Sequence, residues 1–295
     1  MHAFRHQSSI NLRERSRSMA VLMLFLLASG YAPLYAADPV DSLQQPPASS
    51  PNIGDTLWAD TKEGFSETLL FFSAPARFSL RDWGIFGWTV AGTGMTAVVD
   101  DGLRNATAGR QQGFMQDVVD VGNAYGTWIP PVAISSGLYL TGLVLDEPGI
   151  RRAGRHVFQA ALYATLITGS IKALAGRHRP YLEDGPYKLR GPSTRDDFNS
   201  FPSGHSTIAF AVSSSLAAEI DEPWATVGLY GLAGITALSR MYSDRHWGSD
   251  VVFGAVVGTV CGYGVTHLNN DNAPPDEAGL ILSPTLNGFA AVWRF

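Results

Sequence analysis

Ser239-Arg240-Met241-Tyr242-Ser243-Asp244-Arg245-His246-Trp247-Gly248-Ser249-Asp250 is the stretch around which the rest of the chain is arranged. It spells Ser-Arg, five residues, His, three residues, Asp. If the segment from His246 onward is helical, His246 and Asp250 stand at i and i+4 on one face. A carboxylate there accepts the N–H of one ring nitrogen and leaves the other as an outward lone pair. A nucleophilic or general-base imidazole needs that arrangement, because the carboxylate fixes the tautomer and stabilises the developing charge. Arg240, six residues earlier, offers a planar fork of donors suited to phosphate. The same residues equally suit a solvated helix end with an i,i+4 pair, so this stretch alone leaves both readings open.

Two other stretches bear on the choice. Phe201-Pro202-Ser203-Gly204-His205 precedes an apolar run, Ser206 to Ala218. Pro-Ser-Gly at a helix start supplies free backbone N–H groups, an anion cradle with His205 at its lip. Lys172-Ala173-Leu174-Ala175-Gly176-Arg177-His178-Arg179-Pro180 closes another apolar run. Pro180 disfavours the α conformation at Arg179, so that side chain is expected to leave the helix end.

In this order the three stretches resemble the signature of the phosphatidic acid phosphatase type 2/vanadium haloperoxidase superfamily. That signature is Lys-x6-Arg-Pro, then Pro-Ser-Gly-His, then Ser-Arg-x5-His-x3-Asp. It stands complete here as Lys172…Arg179-Pro180, Pro202-Ser203-Gly204-His205 and Ser239-Arg240…His246…Asp250. The motifs cover residues 172–250, and the flanking apolar segments extend the resemblance to about 80–270.

The residue types alone describe a phosphate site. A phosphoryl group in transfer spreads negative charge over three equatorial oxygens, so catalysis is mostly cations and N–H donors held in place. Lys172, Arg179 and Arg240 supply three positive charges; Ser203 and the Gly204 N–H complete the cradle. The resemblance implies the roles. His246 attacks phosphorus and forms a phosphohistidine, Asp250 orients it, and His205 protonates the leaving alcohol and then activates water. It implies no cofactor and no metal, the cations standing where magnesium stands elsewhere.

Other polar residues carry blander expectations. His178 lies inside the first motif but off its signature positions. His156 and His267 fall near helix ends, where solvated or capping histidines are usual. Asp244 and Arg245 read as a pocket rim or a charged turn, and Glu183-Asp184 as solvated loop acids. Cys261 is the only cysteine, which excludes a disulfide framework and a cysteine zinc site; it reads as a small buried residue.

Apolar residues make up 45% of the chain and charged residues 16%. The formal net charge is −5, which argues against nucleic acid as a partner. Arg5, Arg13, Arg15 and Arg17, then the apolar core Met19 to Ser29 and Leu34-Tyr35-Ala36, read as an export signal over residues 1–36. An uncleaved anchor is the rival, although the core is short for a span. Residues 37–80 read as a Pro/Ser-rich leader followed by an amphipathic helix on the domain or on a membrane surface.

Six apolar segments follow, at roughly 83–99, 128–145, 157–175, 205–219, 224–238 and 250–267, without strand-like alternation. The expected fold is all-α, a six-helix bundle of the phosphatase/haloperoxidase type over 81–270. The tail 271–295 is expected to form a short β-hairpin around Asn287-Gly288. The loop 180–201 is expected to hang over the site. Several segments are shorter than the roughly 20 residues of a membrane span. The connection at 219–223 is acidic, whereas 146–156 carries Arg151, Arg152 and Arg155 as the positive-inside rule asks. An inner-membrane protein with a periplasmic site is favoured slightly over a soluble periplasmic one.

These observations point to a metal-independent phosphatase for a phosphomonoester or diphosphate, a lipid phosphate being favoured. A soluble non-specific acid phosphatase is the alternative, and vanadate-dependent halide oxidation a minor one. A non-enzymatic binding module would be expected to lack His246 or His205, and both are present. The substrate alcohol and the oligomeric state are not legible from one sequence.

Overall fold

The computed structural model describes residues 52–110, 112–267, 279–285 and 288–294. The expected export signal, the leader up to residue 51 and Asn287 of the expected turn lie outside them. The helices are α1 (Ile53–Ser73), α2 (Leu80–Thr96), α3 (Asp100–Thr107), α4 (Phe114–Tyr125), α5 (Ile129–Val144), α6 (Pro148–Ala175), α7 (Gly204–Ile220), α8 (Pro223–Tyr242) and α9 (Gly248–His267). Strand β1 (Gly279–Thr285) pairs antiparallel with β2 (Gly288–Arg294), Gly279 opposite Arg294 and Thr285 opposite Gly288.

Each of the six apolar segments is a helix, and the all-α reading of the core holds. The count of six over 81–270 does not, because α3 and α4 are helices as well; α1 is the helix expected before residue 80. Local chemistry sets the boundaries. Ser79 and Asp82 close a capping box at the start of α2. Proline at the first position opens α6 and α8. Gly176, at φ 59°, ends α6 in the left-handed conformation. The expected connection 146–156 is mostly the first turns of α6. Its arginines read as a loop because they are charged, but Arg151 and Arg155 are bound to acids on α1.

The core forms around α7, which is buried on nearly every side and shows no amphipathic pattern for that reason. Ile208, Ala209, Val212 and Leu216 pack with Tyr125, Val157, Ala161 and Ala233. Ala211 joins a second cluster with Ala160, Tyr163, Ala164, Cys261 and Val265. Gly254, Gly258 and Gly262 let the backbone of α9 approach α7: an added Cβ would lie 2.6 Å from Ser203 O, 2.3 Å from Thr207 O and 2.4 Å from Ala211 O respectively. Small residues at four-residue spacing thus fix how close the helices that carry two of the motifs can come.

Helix α1 presents Asp60, Glu63 and Glu67 to Arg151, Arg155 and His156 of α6, and turns Trp58, Phe65, Leu69 and Phe72 outward. Large apolar side chains are also exposed along other helices, among them Trp88, Met95, Val144, Leu174, Trp224 and Val227. Helices α6 and α9 are long and apolar enough to cross a membrane, by length and composition.

Candidate active site

His246 lies in the short segment between α8 and α9, where its N–H donates to Arg240 O at 3.3 Å. Its Nδ1 is 2.7 Å from the backbone carbonyl of Ser200. A carbonyl only accepts, so Nδ1 carries the proton and Nε2 holds the lone pair. Asp250 Oδ2 is 3.7 Å from Nδ1, too far for a hydrogen bond. The sequence expectation that Asp250 accepts the imidazole proton is therefore corrected. Helix begins at Gly248 rather than His246, so the i,i+4 geometry is not realised. Asp250 instead reaches back to the N–H of Trp247 at 2.9 Å, as an acid in the first turn does. It also accepts Ser200 Oγ–H at 2.5 Å and Arg177 Nη1–H at 2.5 Å.

His246 is buried. Burial first, and then the charges of Lys172, Arg179 and Arg240, hold its imidazole well below the usual range. Neutral, with Nε2 unprotonated, it is in the form that a nucleophile requires.

The three cations come from three elements. Lys172, in the last turn of α6, donates Nζ–H to Asn199 O at 2.6 Å. Arg179 has left the helix end, as the following proline dictates, with φ −75° and ψ 152°. Its Nε donates to Asp196 O at 2.7 Å, Nη1 to Arg245 O at 3.1 Å and Nη2 to Asp196 Oδ1 at 2.6 Å. Arg240, in the last turn of α8, donates Nη1–H to Asn123 Oδ1 at 2.5 Å. Its Nε is buried, and no described residue accepts from it. A buried donor without an acceptor is costly unless an occupant supplies one. All three cations act electrostatically on both His205 and His246, so the structure brings the five groups together.

Ser203 caps α7: its Oγ accepts the Ser206 N–H at 3.4 Å and Ser206 Oγ–H at 3.1 Å. Gly204 and His205 are the first residues of α7, whose leading N–H groups have no partner within the helix. A Cβ at Gly204 would stand 3.6 Å from Lys172 Cε, so the cradle N–H groups adjoin the Lys172 stem. Gly126 backs His205: a Cβ there would meet His205 Cβ at 2.7 Å.

The remaining sequence candidates stand apart from this cluster or support it. His178 pairs through Nδ1 with Asp184 Oδ2 at 2.6 Å and packs on Phe198; Glu183 and Asp184 are both exposed, as expected of loop acids. Asp244 lies in a charged turn, as expected, at φ 52°, and Arg104 of α3 clasps it with Nε and Nη2 at 2.8 and 2.9 Å. His156 is not solvated: it is buried between Glu219 (2.5 Å) and Glu67 (3.3 Å). His267 stacks on Tyr263 with ring centroids 3.6 Å apart. Cys261 is buried in the second core cluster, as expected. The loop after Pro180 does more than cover the site, since Asp196 holds Arg179 and Ser200 orients His246. Sequence reasoning missed Asn123, Ser200, Arg177 and Asp100. Only Arg177 and Ser200 carried a signal, by lying within a few residues of a motif.

A family model described as PAP2 superfamily matches residues 154–274, which contain the cations and both histidines. The Lipid A 1-phosphatase of Porphyromonas gingivalis is 44% identical over 66 residues, 22% of this chain and 15% of that protein. A PA-phosphatase related-family protein of Dictyostelium discoideum is 25% identical over 166 residues, 51% of this chain and 60% of that one. The chain thus spans less than two thirds of either relative's length. Among solved structures, Aquifex aeolicus LpxE aligns at TM-score 0.41 and 17% identity, over 58% of this chain and 92% of that one. The transmembrane PAP2 type phosphatidylglycerolphosphate phosphatase of Bacillus subtilis aligns at TM-score 0.40 and 18% identity, over 72% and 98%.

Proposed function

We propose, from the match of residues 154–274 to the PAP2 superfamily model, that this protein is a phosphoric ester hydrolase working through a phosphohistidine. One observation carries the reading. Lys172, Arg179 and Arg240 all act on a buried neutral His246, and Arg240 Nε is a buried donor lacking an acceptor among the described residues. Three cations, an unsatisfied donor and a neutral imidazole in one group suit a dianionic phosphoryl group better than any neutral ligand.

In this mechanism the phosphate oxygens take hydrogen bonds from Lys172, Arg179, Arg240, Ser203 Oγ and the Gly204 N–H. The Nε2 lone pair of His246 attacks phosphorus in line as the bond to the ester oxygen breaks. His205 gives its proton to the departing oxygen. It then takes a proton from water, whose oxygen attacks phosphorus and breaks the N–P bond, restoring His246. Asp250 stabilises the positive charge on the ring through its field at 3.7 Å.

A lipid phosphate monoester or diphosphate is the substrate we favour. The printed name of the Porphyromonas gingivalis relative supports a lipid phosphate. So do the apolar side chains exposed along several helices, a surface suited to hydrocarbon. In this reading α6 and α9 cross the inner membrane, and the end bearing Lys172 and His246 faces the periplasm. The basic-then-apolar pattern of residues 5–29 supports export.

The test is phosphate release by purified wild type and His246→Ala in the presence of EDTA, with phosphatidate beside a water-soluble aryl phosphate. Turnover in the wild type and none in the variant is expected, with phosphatidate the faster substrate. Activity retained by His246→Ala would remove the phosphohistidine.

A further inference from the structure

Beyond Asp250 lies a chain of buried polar groups, Arg177, Ser249 and Asp100, for which the mechanism above has no use. Arg177 is 6% exposed and Asp100 fully buried. Arg177 Nη1 donates to Asp250 Oδ1 at 2.5 Å and to Ser249 Oγ at 2.7 Å. Its Nη2 donates to Asp100 Oδ2 at 2.8 Å, and Nε and Nη2 both reach Pro186 O, at 2.8 and 2.6 Å. Asp100 also accepts the Ser249 N–H at 2.8 Å and Oγ–H at 2.6 Å.

Ser200 is held from two directions by the same residue. Its N–H donates to Arg177 O at 3.1 Å, and its Oγ–H donates to Asp250 Oδ2, whose other oxygen Arg177 grips. The Ser200 carbonyl, fixed in this way, takes the Nδ1 proton of His246.

We propose that Arg177, backed by Asp100, is a positioning residue that clamps Asp250 and Ser200 so that the Ser200 carbonyl sets the tautomer of His246. The clamp keeps the Asp250 carboxylate at field distance from the ring instead of in contact with it. Two buried carboxylates share one guanidinium, and that sharing is possible because the planar fork presents separate N–H edges to each acid. Arg177 touches neither phosphate nor the reacting atoms. The inference rests on the proposed function for its kinetic consequence, but its structural content, the tautomer, does not.

The test uses Arg177→Lys, which keeps the charge but cannot span both acids, and Ser200→Ala, which keeps the carbonyl but loses the grip of Asp250. Removing Arg177 outright would leave two buried carboxylates unpaired and endanger folding. Turnover of an aryl phosphate and inhibition by inorganic phosphate are measured on both variants. In parallel, the imidazole 15N shifts of His246 are recorded in histidine-labelled full-length protein. The expected result for Arg177→Lys is kcat lower by about ten- to a hundredfold, the scale of a misplaced reacting group. The phosphate inhibition constant should stay within about twofold, because the cradle is intact, as tenfold would need about 1.4 kcal/mol. Wild-type His246 should give the Nδ1–H pattern, and both variants a mixture of tautomers. Unchanged kcat and shifts in Arg177→Lys would overturn the clamp. So would parallel loss of turnover and phosphate affinity, the mark of general loosening. A wild type with no turnover but the expected shift changes would sink the phosphatase reading and leave the clamp standing.

Discussion

Replacing Gly254 by alanine puts a methyl group where α9 meets the cap of α7. The added Cβ would lie 2.6 Å from Ser203 O, 3.0 Å from Thr207 Oγ1 and 3.3 Å from Ser206 Cβ, where ordinary contact begins at 3.4 Å. The nearest of these is a backbone atom that cannot rotate away. The start of α7 must therefore retreat from α9 by about 0.8 Å, or α9 must bend by as much. Overpacking of this kind costs about 1–3 kcal/mol, and the better helix propensity of alanine returns at most about 1 kcal/mol. A net loss of about 1–2 kcal/mol remains. The effect on turnover should be larger. Ser203 N–H donates to Asp250 O at 2.9 Å, so the retreat separates the loop carrying Ser203, Gly204 and His205 from the segment carrying His246. A shift approaching 1 Å costs up to about a hundredfold in rate. Gly231→Ala in α8 is the control, because nothing lies within 4 Å of its added Cβ. Thermal unfolding in a single detergent and kcat on an aryl phosphate would be compared for both variants. Equal unfolding temperatures and equal kcat for Gly254→Ala and Gly231→Ala would refute the reasoning.

Three further outcomes are expected. Burial and the cations hold His246 neutral below its unfolded pKa of about 6.5. The unfolded chain therefore binds the extra proton, and stability from this group, full above about pH 6.5, falls as pH drops toward the folded pKa. Lys172→Gln removes one of those cations and should move the acidic limb of kcat/KM to higher pH; a limb that stays in place would contradict the coupling. Asn123→Ala removes the acceptor of Arg240 Nη1, a bond to a charged group worth about 1.5–3 kcal/mol. It should weaken inhibition by inorganic phosphate at least about tenfold, and unchanged inhibition would free Asn123 of that role. Burial pushes the Glu67 carboxyl up, but hydrogen bonds from His156 and Arg155 pull it down to about 2. Glu67→Ala should lower stability by about 3–5 kcal/mol, the scale for breaking a buried ion pair. It should leave kcat of the folded fraction unchanged, since Lys172 stands about 24 Å farther along α6 than His156 at 1.5 Å per residue. A kcat that falls with stability would show that the far cluster reaches the site.

The spacing of residues along the chain, without any structure, was enough for the all-α core, for the six apolar segments as helices and for naming Lys172, Arg179, His205, Arg240 and His246 as one group. Helix periodicity, proline and glycine punctuation and three short motifs all act over a few residues, so one dimension carries them. The expectations that fell were those needing a partner from elsewhere. Asp250 was expected to hold His246 on local spacing alone. What decided otherwise was Ser200, brought in by a loop, together with the start of helix at Gly248. Arg151 and His156 read as loop and solvated residues until Asp60, Glu67 and Glu219 are seen to enclose them. Asn123 has no motif to mark it, because its meaning lies in Arg240, which only the packing of α4 on α8 supplies. Which residues are candidates for the site was thus determined by sequence. Which atoms aim them was decided by tertiary structure, because a hydrogen-bond partner 46 or 117 residues away leaves no trace in local spacing.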